Sequence, residues 1–210
     1  MSARELLEDL RRELSPVEQA IRAHRYLAAP PAEESLRALA GEQYTILASD
    51  RRSFAHLAAR FPEPPAGDFF IGLAQGEGEA LERLFALAAS LGIEEGGLIG
   101  YEPKPGCQAY TAFVSWLALN GLRAELALAF LANLAAWGEN CGRLAGMLRG
   151  RCETSFFAFF AEPAPDFEEH ALAVADQGLA AGDSPARARR AARLLQAYEL
   201  LFWDTLADAL

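Results

Sequence analysis

Two long stretches of the chain keep a helical rhythm of apolar residues with no internal proline, and they leave little room for any architecture but packed helices. From about Glu33 to Phe61, the residues Leu36, Leu39, Leu47, Phe54, Leu57 and Phe61 gather on one side of a helix. Pro30 and Pro31 precede this run, and Pro62, Pro64 and Pro65 stop it. From Arg123 to about Leu148, Leu126, Phe130, Trp137 and Leu144 share a face in the same way. Helices this long bury their apolar stripes only against other elements.

The remaining punctuation predicts those elements. Ser15-Pro16-Val17-Glu18 combines a capping serine, a first-turn proline and a reciprocal glutamate, which predicts a helix from there to about Leu27. A helix from about Asp68 to Leu91 ends at Gly92, and Ile93 to Gly106 reads as a loop placed to border a site. Cys107 to Leu119 is the next helix, closed by Gly121. A short aromatic helix at Phe156 to Phe160 precedes Pro163 and Pro165, and helices at Asp166 to Ala181 and Ser184 to Ala209 complete the chain. Gly138, Gly142 and Gly146 recur every four residues, a pattern that lets a neighbouring helix approach closely. With no convincing strand, no dinucleotide or phosphate loop and no solenoid repeat, the fold class is all-α, a multi-helix bundle over residues 1–210 as one domain.

Charge and composition remove several functions. At 210 residues, 52% of them hydrophobic, the chain can bury one large core. A net charge of -10 repels a phosphate backbone, and the one basic cluster, Arg187-Ala188-Arg189-Arg190 with Arg193, is offset by acidic neighbours, so nucleic acid is not an expected partner. The charged start, Met1-Ser2-Ala3-Arg4-Glu5, and the lack of a long apolar run predict a cytoplasmic protein with no membrane partner. Cys107, Cys141 and Cys152 lack metal-ligand spacing and are expected as reduced thiols. His24, His56 and His170 form no metal motif and are read as surface or capping residues. A haem ligand at His24 facing Gly138 and Gly142 would rest on one histidine and a common packing pattern, so neither metal nor cofactor is expected.

Against this apolar background a few polar residues point inward. Glu199 lies roughly 140° from the stripe of Arg189, Arg190, Arg193, Asp204 and Asp208, between Leu195, Trp203 and Leu206. Gln43 and Asp50 share the apolar side of their helix, as do Asn133 and Asn140 of theirs, and Tyr110 faces inward from another. In a bundle such groups converge only in the interior. They imply a pocket for a small molecule, with Trp137, Tyr198, Phe202 and the Phe156 to Phe160 cluster as its walls. The competing reading is a core network in which Asp50 or Glu199 pairs with an arginine such as Arg51 or Arg143.

The segment Tyr198-Glu199-Leu200-Leu201-Phe202-Trp203 resembles the E-x-x-F-W signature of the TenA/thiaminase II family. Gly106 to Val114 is similar to the family's helix with an active-site tyrosine, which falls on Tyr110. Leu131 to Glu139 resembles the segment P-C-x-W-x-Y-x-E, with Asn133 at the catalytic cysteine and Trp137 at a tyrosine. Leu36 to Gln43 is similar to the F-x-x-Y-x-x-Q-D helix, with Gln43 at the substrate-binding aspartate, and Phe160 falls at another pocket aromatic.

The resemblance implies a heme-oxygenase-like bundle, a closed homodimer or homotetramer, and no cofactor. It also implies a cysteine that attacks a pyrimidine-bearing substrate, a glutamate that shuttles protons and an aspartate that grips the aminopyrimidine. This chain departs from it at the nucleophile, because the amide of Asn133 cannot attack, and Cys141 two turns on is expected on another part of the surface. The expected activity is hydrolysis of a C–N bond in a small nitrogen heterocycle of thiamine or aminopyrimidine type. Glu199 is the catalytic acid/base, Gln43, Tyr110, Asn133, Trp137, Phe160 and Phe202 bind substrate, and Asp50 and Asn140 are further pocket groups. The alternatives are a non-catalytic ligand-binding protein and a PqqC-like oxidase.

Overall fold

The computed structural model describes residues 1–162 and 164–208. In chain order they form α1 (Ala3–Arg22), a 3₁₀ turn (Arg25–Leu27), α2 (Glu33–Arg60), α3 (Ala66–Ser90), α4 (Glu95–Ile99), α5 (Pro105–Asn120), α6 (Arg123–Leu148), α7 (Ser155–Ala161), α8 (Phe167–Ala180) and α9 (Pro185–Asp208). No strand occurs among the described residues. Pro163 and Ala209, which mark predicted boundaries, lie outside them.

The first helix differs from its sequence signature. It starts at Ser2, whose hydroxyl accepts from the Glu5 amide while the Glu5 carboxylate accepts from the Ser2 amide, and it runs straight through Ser15 and Pro16. A proline inside a helix costs about 3 kcal/mol. Leu6, Leu7, Leu10, Leu14 and Ile21 are buried along the continuous face, each contributing roughly 1.5 to 3 kcal/mol, so unbroken helix wins. It ends at Arg22 instead of near Leu27, and His24 caps the following turn by accepting from the Tyr26 amide. His24 is a capping residue as expected but a buried one, held at 3.0 Å from Asp204, whereas His56 and His170 are exposed.

The stretch from Ile93 to Gly106 also departs from a plain loop, since α4 forms within it and Pro105 opens α5. Gly92, at φ 69°, takes the left-handed conformation that ends α3. The segment is pinned by Glu42, a fully buried carboxylate of α2 that accepts from the Tyr101 hydroxyl, the Lys104 amide and the Gln108 side chain. Its charge is met by three donors, and it is an anchor for the segment.

The apolar interior falls into two clusters. One gathers the first half of α1, the C-terminal part of α2, the N-terminal part of α3, Val114 and Leu117 of α5, the first half of α6, α8 and Ala188 to Leu195 of α9. The other gathers the N-terminal part of α2, the C-terminal part of α3, Cys107, the second half of α6, α7 and Phe202 to Leu206. Six helices therefore pass from one cluster to the other, α1 by way of Ile21 and the five that line the crossing being α2, α3, α5, α6 and α9. Each of those five carries a polar residue near the crossing: Asp50 on α2, Glu77 on α3, Tyr110 and Thr111 on α5, Asn133 on α6 and Glu199 on α9.

Candidate functional site

A cavity of about 70 Å³ opens at this polar level, lined from six helices. α2 contributes Gln43, Ile46, Leu47 and Asp50; α3 contributes Glu77; α5 contributes Tyr110; α6 contributes Asn133, Leu134 and Trp137; α7 contributes Phe160; and α9 contributes Glu199 and Phe202. Glu77, Tyr110, Leu134, Trp137 and Phe160 are half-buried, which marks the sides facing solvent, while Gln43, Asp50, Asn133, Glu199 and Phe202 are buried. One wall is aromatic, with the Trp137 ring 5.8 Å from Phe160, 6.1 Å from Phe202 and 5.6 Å from Trp203.

Glu199 is held at both carboxylate oxygens. Asn133 Nδ2 donates to Oε2 at 2.5 Å, and Trp203 Nε1, one turn along the same helix, donates to Oε1 at 3.3 Å. The Tyr110 hydroxyl donates to Asn133 Oδ1 at 2.8 Å, which fixes the amide so that its NH₂ faces Glu199. Burial pushes the Glu199 carboxyl up to about 8, and the Trp203 and Asn133 hydrogen bonds offset only part of that rise. The group is therefore largely protonated at neutral pH and able to donate.

Asp50 and Glu77 form the opposite pole. Thr111 Oγ1 donates to Asp50 Oδ1, and burial raises the Asp50 carboxyl despite that bond. Burial raises Glu77 as well, and the charge of Asp50 adds to it. Its Oε2 is closed to solvent and has no hydrogen-bond partner. Tyr110, raised by burial, feels the Asp50, Glu199 and Glu77 carboxylates in turn, so it stands among all three.

The arginine-paired reading does not hold among the described residues, where no salt bridge reaches Asp50 or Glu199. Arg143 donates to the Arg22 carbonyl at the end of α1 and to the Leu27 carbonyl at the end of the 3₁₀ turn, and Arg51 is exposed beside Gly78.

Several sequence-based placements change. Asn140 does not reach the cavity, because its amide donates to the Ile21 carbonyl at the end of α1. Tyr198, one step along α9 from Glu199, turns about 100° away and packs its ring 5.3 Å from Phe113 on the α5–α9 surface. Of the aromatic cluster only Phe160 lines the cavity; Phe156 and Phe157 are core, and Phe159 lies under the Arg83 guanidinium. Cys141 is not at the surface but fully buried in the second cluster. The segment from Ile93 to Gly106 contributes nothing to the lining.

Glu77 is the residue that sequence reasoning missed. Its signal was its spacing, seven residues from both Phe70 and Leu84 on the buried face of α3, masked by the surrounding Gly76, Gly78 and Glu79.

The family described as TENA/THI-4/PQQC matches residues 12–209. Among solved structures, a TenA homologue from Pyrococcus furiosus superimposes with a TM-score of 0.77 at 21% identity, covering 96% of this chain and 99% of that one. A TenA homologue from Pseudomonas syringae gives a TM-score of 0.81 at 16% identity, covering 96% and 92%. A domain with a heme oxygenase-like fold from Shewanella denitrificans gives 0.62 at 14% identity, covering 98% and 88%. No curated protein sequence matches the chain. The bundle is thus of the heme-oxygenase-like kind, and with a family match that runs almost from end to end, this chain belongs to the TENA/THI-4/PQQC family.

Proposed function

We propose that the protein hydrolyses a C–N bond of a small nitrogen heterocycle of the aminopyrimidine or thiamine type, with Glu199 as general acid/base. The observation that carries this reading is a buried, largely protonated glutamic acid, oriented at both oxygens and opening on a cavity with an aromatic wall. In the proposed step, written for an aminopyrimidine that carries a neutral amine leaving group, the Glu199 proton passes to the departing nitrogen as the C–N bond breaks, whereas a thiazolium would leave as neutral thiazole without that proton. A water attacks the carbon left behind, and Glu199 takes a proton from that water, so the glutamic acid is restored and the products are an alcohol and a free amine. Asn133 stands where the family resemblance puts a nucleophilic cysteine. In this reading it holds Glu199, and no covalent intermediate forms on the protein.

Gln43 offers both a donor and an acceptor to a ring nitrogen and its neighbour, and Trp137, Tyr110, Phe160 and Phe202 offer stacking or edge contacts. The cavity is well below the roughly 300 Å³ at which small-molecule pockets usually begin. That size favours a single ring at the acid, and in this reading any second ring extends toward the half-buried Leu134, Trp137 and Phe160.

The test is product analysis by mass spectrometry on a panel of thiamine and substituted aminopyrimidines. Turnover by the wild type that falls at least about 100-fold in Glu199→Gln supports the proposal. Turnover unchanged in that variant sinks it, and saturable binding with no turnover of any member would move the assignment to a ligand-binding protein. We also propose a cytoplasmic, single-domain protein and, on the family resemblance, a homodimer or homotetramer, which sedimentation velocity checks. No helix among the described residues is long and apolar enough to cross a membrane.

A further inference from the structure

The pole opposite Glu199 is not explained by acid/base chemistry at a single carboxyl. Asp50 and Glu77 come from two helices packed side by side, α2 and α3, and both line the cavity. Asp50 is 4% exposed, and the Glu77 carboxyl has an enclosed oxygen without any partner. Not one of the lining residues is basic. An ionised carboxylate with no donor in a low-dielectric interior costs several kcal/mol, and two neighbouring ones cannot both ionise unless something positive joins them. The cheapest protein-only state keeps one of the two carboxyls protonated and leaves one negative charge between them. Nothing in the protein uses that charge.

We propose that Asp50 and Glu77 are a specificity-determining pair that receives a singly charged nitrogen cation of the ligand, so the pocket selects a small aromatic or heteroaromatic amine in its protonated form over its neutral analogue. Several features of the cavity support this. One shared negative charge matches one ammonium or amidinium group. Thr111 orients Asp50 by donating to Oδ1. The half-buried aromatic rings of Tyr110, Trp137 and Phe160 can add cation–π attraction as the cation passes or seats. A divalent metal is the poorer match, since no group of three or more potential ligands gathers among the described residues.

This inference rests on the proposal that the cavity takes a small ring, but it is tested by binding and not by turnover, so the two can fail separately. The probes are benzylamine, cationic at neutral pH, and benzyl alcohol, its neutral analogue, titrated into wild-type protein by calorimetry at pH 7. Benzylamine is expected to bind at least tenfold more tightly, a difference of about 1.4 kcal/mol. Asp50→Asn and Glu77→Gln are each expected to reduce that ratio to below about threefold while keeping the circular dichroism of the folded protein. Equal affinities in the wild type overturn the proposal, and so does a preference that survives both substitutions. Failure of both probes to bind at millimolar concentration overturns it together with the pocket itself, and calcium chloride displacing benzylamine would hand the pair to a metal.

Discussion

Glu199 shows how burial and hydrogen bonding compete for one group. Two N–H donors favour its anion, yet removal from water raises it to about 8, so the neutral acid prevails at pH 7. A rate that depends on this acid should decline as pH rises through about 8, and the declining limb should be missing from whatever activity remains in Glu199→Gln; pH–rate profiles check this. Asn133→Ala removes one of the two donors and frees the Tyr110 hydroxyl. The carboxyl should then titrate still higher, and kcat should fall about 10- to 100-fold, with a smaller change in KM, because the lost contact orients the acid more than it binds substrate. Restoring the amide's donor with Gln should recover less than half of that loss, since the longer side chain misplaces it.

At the level of elements, the helices were legible where proline and apolar rhythm agreed, as in α2 and α6, whose bounds match the sequence reading closely. They were misread where a local signal competed with a distant one. Ser15-Pro16 resembles a helix start, but the burial of Leu10, Leu14 and Ile21 on one face keeps α1 whole. Inward residues on the long helices were found from angle alone, whereas Tyr198 and Asn140 were not separated from them, because periodicity gives a direction but not the neighbour met there. The glycine series on α6 gives a sharper case. An added Cβ at Gly138 would lie 2.8 Å from the Phe160 carbonyl oxygen, at Gly142 it would make an ordinary contact, and at Gly146 it would meet nothing. One glycine of the three sets the distance between α6 and α7. Gly138→Ala should cost roughly 1 to 3 kcal/mol in urea unfolding and push Phe160 out of the cavity lining, weakening ligand binding. Gly146→Ala should instead be neutral or slightly stabilising, since the added methyl is free of clashes and alanine is the better helix former by about 1 kcal/mol.

For the whole molecule, the division of the interior into two apolar clusters with acids between them links stability to pH. Asp50, Glu77 and Glu199 all bind their protons more tightly when folded than when unfolded. Between the ordinary carboxyl value and the raised folded value the native state holds the extra protons, so raising pH across that interval lowers stability. For Glu199 the interval runs from 4.5 to about 8, and the slope is at most about 1.4 kcal/mol per pH unit. Unfolding free energy should therefore drop between pH 5 and pH 8 in the wild type, and less steeply in Glu199→Gln; urea titrations at several pH values read the difference. Surface carboxylates such as Asp9 and Glu13, lowered by hydrogen bonds from Arg189 and Arg193, act in the opposite sense but lose their contribution only at more acidic pH.

The amide at Asn133 also decides what can damage the protein. Where the family resemblance puts a sulfur nucleophile, this chain carries a side chain that neither peroxide nor an alkylating agent attacks. Cys107 and Cys141 are enclosed, and burial raises their thiols, so little thiolate is available at either. Burial raises the Cys152 thiol as well, but Cys152, beyond the end of α6, is the half-buried one of the three cysteines and so the one an electrophile reaches first, and it lies outside the cavity lining. Iodoacetamide or mild peroxide should mark Cys152 and leave the pocket working, a tolerance of oxidative conditions that a cysteine-dependent site does not have.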